Sequence, residues 1–207
     1  MSEHVNELLV TGKIRELDKD SKRDRIKVSS KQQGTGLART LLITLNTPLP
    51  EFAKEPNANV NIKGHVEAMP YTSADGSKRT KQQFIADEIN PRISQCEMIF
   101  GKDNKGKFGV PLCCIVHLSG TIRTAKKEKM HDGEWMRYVL DTTANGKPTT
   151  ASLSHKLSDV PGLTEEYKQG DTICCVCNVE TRYKVYNGRT HADFNDLTIL
   201  DACLYKG

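Results

Sequence analysis

The sequence predicts a mainly all-β protein built as two tandem five-stranded barrels, each with a short helix between its third and fourth strands. Three observations predict it. The second half of the chain repeats the pattern of the first, turn dipeptides separate apolar runs in both halves, and each half holds one short segment of helical rather than strand period. At 207 residues the chain suits two domains of about 100 residues each.

The first strand is carried by Leu9-Val10-Thr11-Gly12-Lys13-Ile14-Arg15, which returns as His117-Leu118-Ser119-Gly120-Thr121-Ile122-Arg123. Two further strands are expected before the helical segments, residues 47–55 and 158–168. There, proline near the start and Asn or Gly near the end fit one or two helical turns. The fourth strand alternates Val60 and Ile62 with polar residues, and its counterpart around Ile173–Val179 is more continuously apolar. Turn signals follow, Asp75-Gly76 and Asn187-Gly188, dipeptides that accept the positive φ of tight hairpins. Apolar runs at 84–89 and 194–200 close the two copies. The boundaries expected are a first domain at 1–92, a linker at 93–109 and a second domain at 110–207. Residues 101–107 are polar, glycine-rich and basic, as a solvated linker is. Residues 96–100 within it are apolar and suited to docking on a barrel.

Composition narrows the classes. Hydrophobic residues make up 37%, enough for compact cores, and charged residues 27%. No run approaches the roughly 18 apolar residues of a membrane helix, and the first residues lack the apolar stretch of a secretion signal. Seven cysteines, an odd number, do not read as a disulfide framework, so a reducing, cytoplasmic compartment is expected. The net charge of +4 sits in the first half. Residues 1–108 hold 18 Lys/Arg against 14 Asp/Glu, and residues 109–207 hold 12 against 12.

Five strands with a helix between the third and fourth is the order of the OB fold. The passage from Phe52-Ala53-Lys54-Glu55 to Val60-Asn61-Ile62-Lys63-Gly64, and from Tyr167-Lys168-Gln169-Gly170-Asp171 to Val176, resembles bacterial and phage-type single-stranded DNA-binding proteins. In that family a helix leads into a Gly-Asp-x-Val-x-Val-x-Gly strand. The hairpin from Tyr71 to Thr80 is similar to theirs as well. The resemblance covers most of residues 6–91 and, more loosely, 112–203. It implies two OB-fold domains and single-stranded DNA as the partner, with self-association and replication proteins as further partners. RNA stays open as a ligand, since nothing here reads a 2′-hydroxyl. The family's acidic C-terminal tail has no counterpart in Asp201–Gly207, so recruitment of proteins through such a tail is not expected. Aromatic content is only 6%, which leaves few platforms for stacking bases.

A binder of single strands needs cations along the phosphate path and flat side chains for bases. In the first copy the candidates are Arg15, Lys22, Arg23, Arg25, Lys27 and Arg39, joined by Tyr71, Lys78, Arg79, Lys81 and Phe84 on the later hairpin. In the second copy they are Arg123, Trp135, Arg137, Arg182, Tyr183, Tyr186 and Arg189. Alternation puts Trp135, Arg137 and Val139 on one face, and Met136, Tyr138 and Leu140 on the core face. Tyr71, Tyr183 and Tyr186, beside turns, are expected to be exposed.

Other chemistry is not indicated. Asp18-x-Asp20-x-x-x-Asp24 lacks the glycine and glutamate of a calcium loop. Cys174-x-x-Cys177 on a strand points its thiols to opposite faces, so buried apolar cysteines are expected and no metal or cofactor. No nucleophile elbow, zincin or phosphate-loop motif is present, and the six histidines have no partner spacing. The sequence therefore points to a non-enzymatic protein that binds single-stranded DNA with little sequence specificity. An OB-fold module for protein partners is the alternative.

Overall fold

The computed structural model describes residues 4–19, 23–31, 38–73, 75–92, 114–157, 167–186 and 188–205, without the side chains of Lys19, Lys31, Tyr186, Arg189, Thr190, His191 and Asp193. The first half contributes β1 (Asn6–Lys19), β2 (Asp24–Lys31), β3 (Ala38–Leu45), β4 (Asn59–Thr72) and β5 (Lys78–Pro91). The second contributes β6 (Cys114–Met130), β7 (Gly133–Ala144), β8 (Lys147–Lys156), β9 (Thr172–Tyr186) and β10 (Arg189–Leu204). The expected linker at 93–109 lies outside the described residues. No helix among the described residues is long and apolar enough to cross a membrane.

Strands β1 to β5 close into a barrel. β1 pairs antiparallel with β2, β2 with β3 and β4 with both β1 and β5, and a parallel pairing of β3 with β5 shuts the ring. Closure removes the exposed edges that an open sheet would present. Strands β6 to β10 pair in the same order and senses, with β8–β10 as the parallel pair and β6–β9 antiparallel. Period-two apolar residues supply the interior. Leu8, Val10, Ile26, Val28, Ile43, Val60, Ile62 and Phe84 line the first half, while Val116, Leu118, Ile122, Tyr138, Leu140, Ile173, Cys177 and Leu197 line the second.

Gly12 and Gly120 explain the most evident repeat. Each lies where one long strand leaves one neighbour for another: β1 passes from β4 to β2, and β6 from β9 to β7. The partner backbone comes so close that a Cβ would overlap the carbonyl oxygen of Ser29 in one case and of Asp141 in the other. Two residues on, the register shifts in both strands, between Ile14 and Glu16 and between Ile122 and Thr124. The extra residue of each bulge is an arginine, Arg15 or Arg123. A bulge bends its strand and sharpens the twist, which a small closed barrel requires.

The segment expected to be helical in the first half makes a single 3-10 turn, Glu51–Lys54, with Ala53 buried beneath it. Pro56 follows directly, and the residue before a proline is pushed out of the helical region, so backbone becomes extended at Glu55 and the turn ends there. Residues 158–166 of the corresponding segment lie outside the described residues. The hairpin glycines adopt the expected positive φ, 80° at Gly76 and 71° at Gly188. A third such turn, Asn145-Gly146 between β7 and β8, has φ of 49° and 74°.

The halves are joined through the backbone. Residues Asn6–Val10 of β1 pair antiparallel with Cys114–Leu118 of β6, so all ten strands form one sheet. Side chains extend this junction. The Thr181 hydroxyl accepts from the Leu42 amide at 2.9 Å, and the Thr149 hydroxyl from the Ala68 amide at 3.0 Å. Gln82 spans the gap as a backbone mimic, accepting from Ser152 N at 2.8 Å and donating to the Ser152 and Asn195 carbonyls at 3.3 Å.

Candidate nucleic-acid interface

A cleft of about 480 Å³ runs between the β4–β5 hairpin and the outer face of the second half. Its wall is Tyr71, Thr80, Lys81 and Gln82. Its floor is Thr124, Lys126 and Glu128 of β6, Arg137 of β7, Ser152 and Ser154 of β8, and Phe194, Asn195 and Asp196 of β10. Strand alternation builds this floor, since every second residue of β6, β7 and β8 points outward.

The aromatic groups divide sharply. Tyr71 is 44% exposed and Phe194 39%, and both border the cleft. The Arg182 guanidinium lies 5.3 Å from the centroid of the Phe194 ring, within cation–π range. Phe84, expected to stack on a base, is 0% exposed and sits in the core. It pairs with Ile43 across the closing β3–β5 ladder, so it has no face to offer a ligand. Tyr183, expected to be exposed, is half-buried. Its hydroxyl is buried with no hydrogen-bond partner among the described residues, and burial pushes the phenol up to about 12, with the charges of Glu16 and Asp18 adding to the effect. Trp135 behaves as its strand alternation predicts. Met136, Tyr138 and Leu140 are buried, whereas Trp135 is partly exposed and its indole N–H donates to Asp132 Oδ1 at 3.0 Å.

The candidate cations are mostly matched to carboxylates. Arg25 pairs with Asp18 at 3.1 Å and Lys27 with Glu16 at 2.7 Å. Arg39 reaches across the junction to Glu180 at 3.1 Å. Arg79 pairs with Asp75 at 2.9 Å, Arg123 with Asp141, Arg137 with Glu128 at 2.7 Å and Arg182 with Asp196 at 2.8 Å. Arg15 donates to Asn57 Oδ1 at 2.6 Å, and Lys81 approaches the Ala192 carbonyl at 3.4 Å. Arg23 and Lys78 are exposed at the two hairpin ends of the first half. Lys22 lies outside the described residues, as do the side chains of Tyr186 and Arg189.

Electrostatics within the cleft centre on Glu128. A hydrogen bond from Lys126, at 3.0 Å, and the charge of Arg137 hold its carboxyl below the ordinary carboxylate range. At the β4–β5 turn, hydrogen bonds from Ser73 and Ser77 push Asp75 down to about 2. Among the described residues no group of three His, Cys, Asp or Glu side chains comes together to hold a metal ion.

Sequence reasoning missed Phe194, Lys126 and Glu128. Residues 126–129 are a charged run with the composition of a loop, yet β6 runs through them to Met130 and only His131 and Asp132 turn. Phe194 read as the start of a core strand. Its register partner is Arg182, but a bulge between Ala192 and Phe194 shifts the ladder, so a count from the hairpin turn pairs Arg182 with Asp193 and the sequence offers no signal for the contact.

No protein-family model and no curated protein sequence matches the chain. Solved structures do. The wild-type single-stranded DNA binding protein from Thermus aquaticus is 14% identical and aligns with a TM-score of 0.62, covering 100% of this chain and 95% of that one. A deletion mutant of the same protein, which also carries an arginine-to-alanine substitution, aligns with a TM-score of 0.61 at 14% identity, covering 100% and 97%. A mitochondrial single-stranded DNA binding protein from S. cerevisiae aligns over 42% of this chain at 21% identity and a TM-score of 0.31. At these identities the likeness is one of fold, and along its whole length this chain folds as the Thermus aquaticus single-stranded DNA binding protein does.

Proposed function

We propose that the chain is a non-enzymatic protein of two tandem OB-fold domains, residues 1–92 and 110–207, that binds single-stranded DNA with little sequence specificity. The observation that carries this reading is the cleft between the halves, where two part-exposed aromatic rings, Tyr71 and Phe194, border a floor of hydroxyls, the Asn195 amide and the cations Lys126 and Arg137, which share Glu128. Such a surface stacks any base and tracks any phosphate, and reads no particular base edge. Protection or organisation of single strands in replication, recombination or DNA transfer in the cytoplasm follows as the setting. RNA is the alternative polymer, and self-association and replication proteins are further partners in the same proposal.

The test is a titration of Trp135 fluorescence with oligo-dT, oligo-rU and duplex DNA at two salt concentrations. Trp135 is the sole tryptophan, so the signal is site-specific. Quenching by oligo-dT that weakens with salt and is absent with duplex supports the proposal. Absence of any response, together with no retention of labelled oligo-dT at low salt, refutes it. One observation favours a second reading, that of a protein-binding module: seven candidate arginines and lysines already hold carboxylate partners. A phosphate must displace those partners before it gains a contact.

A further inference from the structure

Cys174 and Cys203 stand directly opposite one another on β9 and β10. Alternation directs both outward. Ile173, Cys175 and Cys177 fill the core and Ala202 packs against it, while Cys174 is partly exposed and Cys203 exposed. Two residues further on, the Tyr205 amide donates to the Thr172 carbonyl at 2.8 Å. Counting back along the ladder makes Cys174 and Cys203 a hydrogen-bonded pair, with Cα atoms about 5.5 Å apart in such geometry. That falls within the separation of roughly 4.4–6.8 Å that a disulfide spans. Both thiols open onto a pocket of about 280 Å³ that His117, Ser119, Val176 and Asp201 also line. The end of β10 is accessible because its pairing with β8 is confined to Thr198. Beyond that point β9 is its one strand neighbour among the described residues.

We propose that Cys174 and Cys203 form a thiol modification site that low-molecular-weight disulfides convert to an intramolecular disulfide stapling β10 to β9. The exposed Cys203 thiolate attacks one sulfur of a small disulfide such as oxidised glutathione. The oxidant's S–S bond breaks, a mixed disulfide forms at Cys203, and one glutathione thiolate leaves. Cys174, deprotonated, then attacks the Cys203 sulfur and expels the second glutathione. Two protein thiols lose two electrons in all, the oxidant is reduced to two thiols, and the two protein protons end on the departing thiolates. The order of attack follows the environment. Burial and the neighbouring Cys203 and Cys175 raise the Cys174 thiol above its ordinary pKa, so Cys174 resolves rather than initiates.

The test treats the full chain with oxidised glutathione and follows intact mass and peptide maps without reduction. The expected product has lost two thiol hydrogens, carries no adduct and contains a cross-link between the peptides of Cys174 and Cys203, which dithiothreitol reverses. Cys174→Ser should stop at the mixed disulfide on Cys203, and Cys203→Ser should form no cross-link between these peptides. A wild-type protein that accumulates a stable glutathione adduct on Cys203, or a cross-link that survives in Cys174→Ser, overturns the proposal.

Discussion

Two phenylalanines at comparable places in their last strands have opposite duties, and truncation should separate them. Phe84 is wholly buried, so Phe84→Ala removes packing and leaves a cavity, at a cost of about 3–5 kcal/mol in stability. Denaturant unfolding measures that loss. Phe194 is part-exposed beneath Arg182, so Phe194→Ala should leave unfolding nearly unchanged and weaken oligo-dT binding by about 1–3 kcal/mol. Glu128 offers a test of opposite sign. Glu128→Gln releases Lys126 and Arg137 from their shared carboxylate, and binding should tighten at low salt. The slope of log K against log salt should steepen by about 0.7 for each phosphate gained. A third residue governs pH response. His155 is buried at 1% exposure, stacks on Tyr138 at 5.8 Å, and has no hydrogen-bond partner at either ring nitrogen among the described residues. Burial lowers its pKa from the ordinary 6.5. The unfolded chain therefore takes up a proton more readily than the folded one, and stability should fall as pH drops below 6.5 and be flat above it. Thermal melts from about pH 5 to 8 would show this dependence, and His155→Phe should reduce it.

At the scale of the strand, what the sequence revealed depended on how many faces a strand buries. β7 has one buried face, and its alternation predicted the side of every residue from Trp135 to Leu140. The run Phe84-Ile85-Ala86 has no alternation because all three are buried, so period could not say which side chain faced the ring. In β6 a solvated, charged strand face has the composition of a loop, so composition alone could not place it. The Asn145-Gly146 turn was legible and went unread, although it has the same dipeptide form as Asn187-Gly188. The glycines of the repeat were read as markers of similarity, and their physical cause lies in contacts that sequence does not display. Gly12→Ala and Gly120→Ala each force a methyl group against a partner carbonyl. Each should cost about 1–3 kcal/mol, and the effects should be alike because the two sites are equivalent. Urea denaturation of the two single variants checks both the size and the likeness.

For the whole molecule, strand order and duplication were legible and the junction was not. Pairing of β1 with β6 joins residues more than a hundred positions apart through main-chain groups, which carry no sequence signature. The junction makes the halves interdependent. Residues 1–95 and 109–207 expressed separately should each melt below the intact chain, since each loses the β1–β6 ladder and the Thr149 and Thr181 contacts. Mixing the two should raise the melting temperature above that of either fragment. Two fragments that melt as the full chain does would show that the junction contributes little.

Three hydrogen bonds of that junction run in one sense. The hydroxyls of Ser119, Thr149 and Thr181 belong to the second half, and the amides of Val5, Ala68 and Leu42 that they receive belong to the first. A pair of first halves would bring amide to amide there, and a pair of second halves hydroxyl to hydroxyl. Within one polypeptide each half is always delivered with its complement, in equal amount and on the same molecule. A substitution on either side therefore needs to suit only the other half, not a second copy of its own. At these three contacts neither half can stand in for the other.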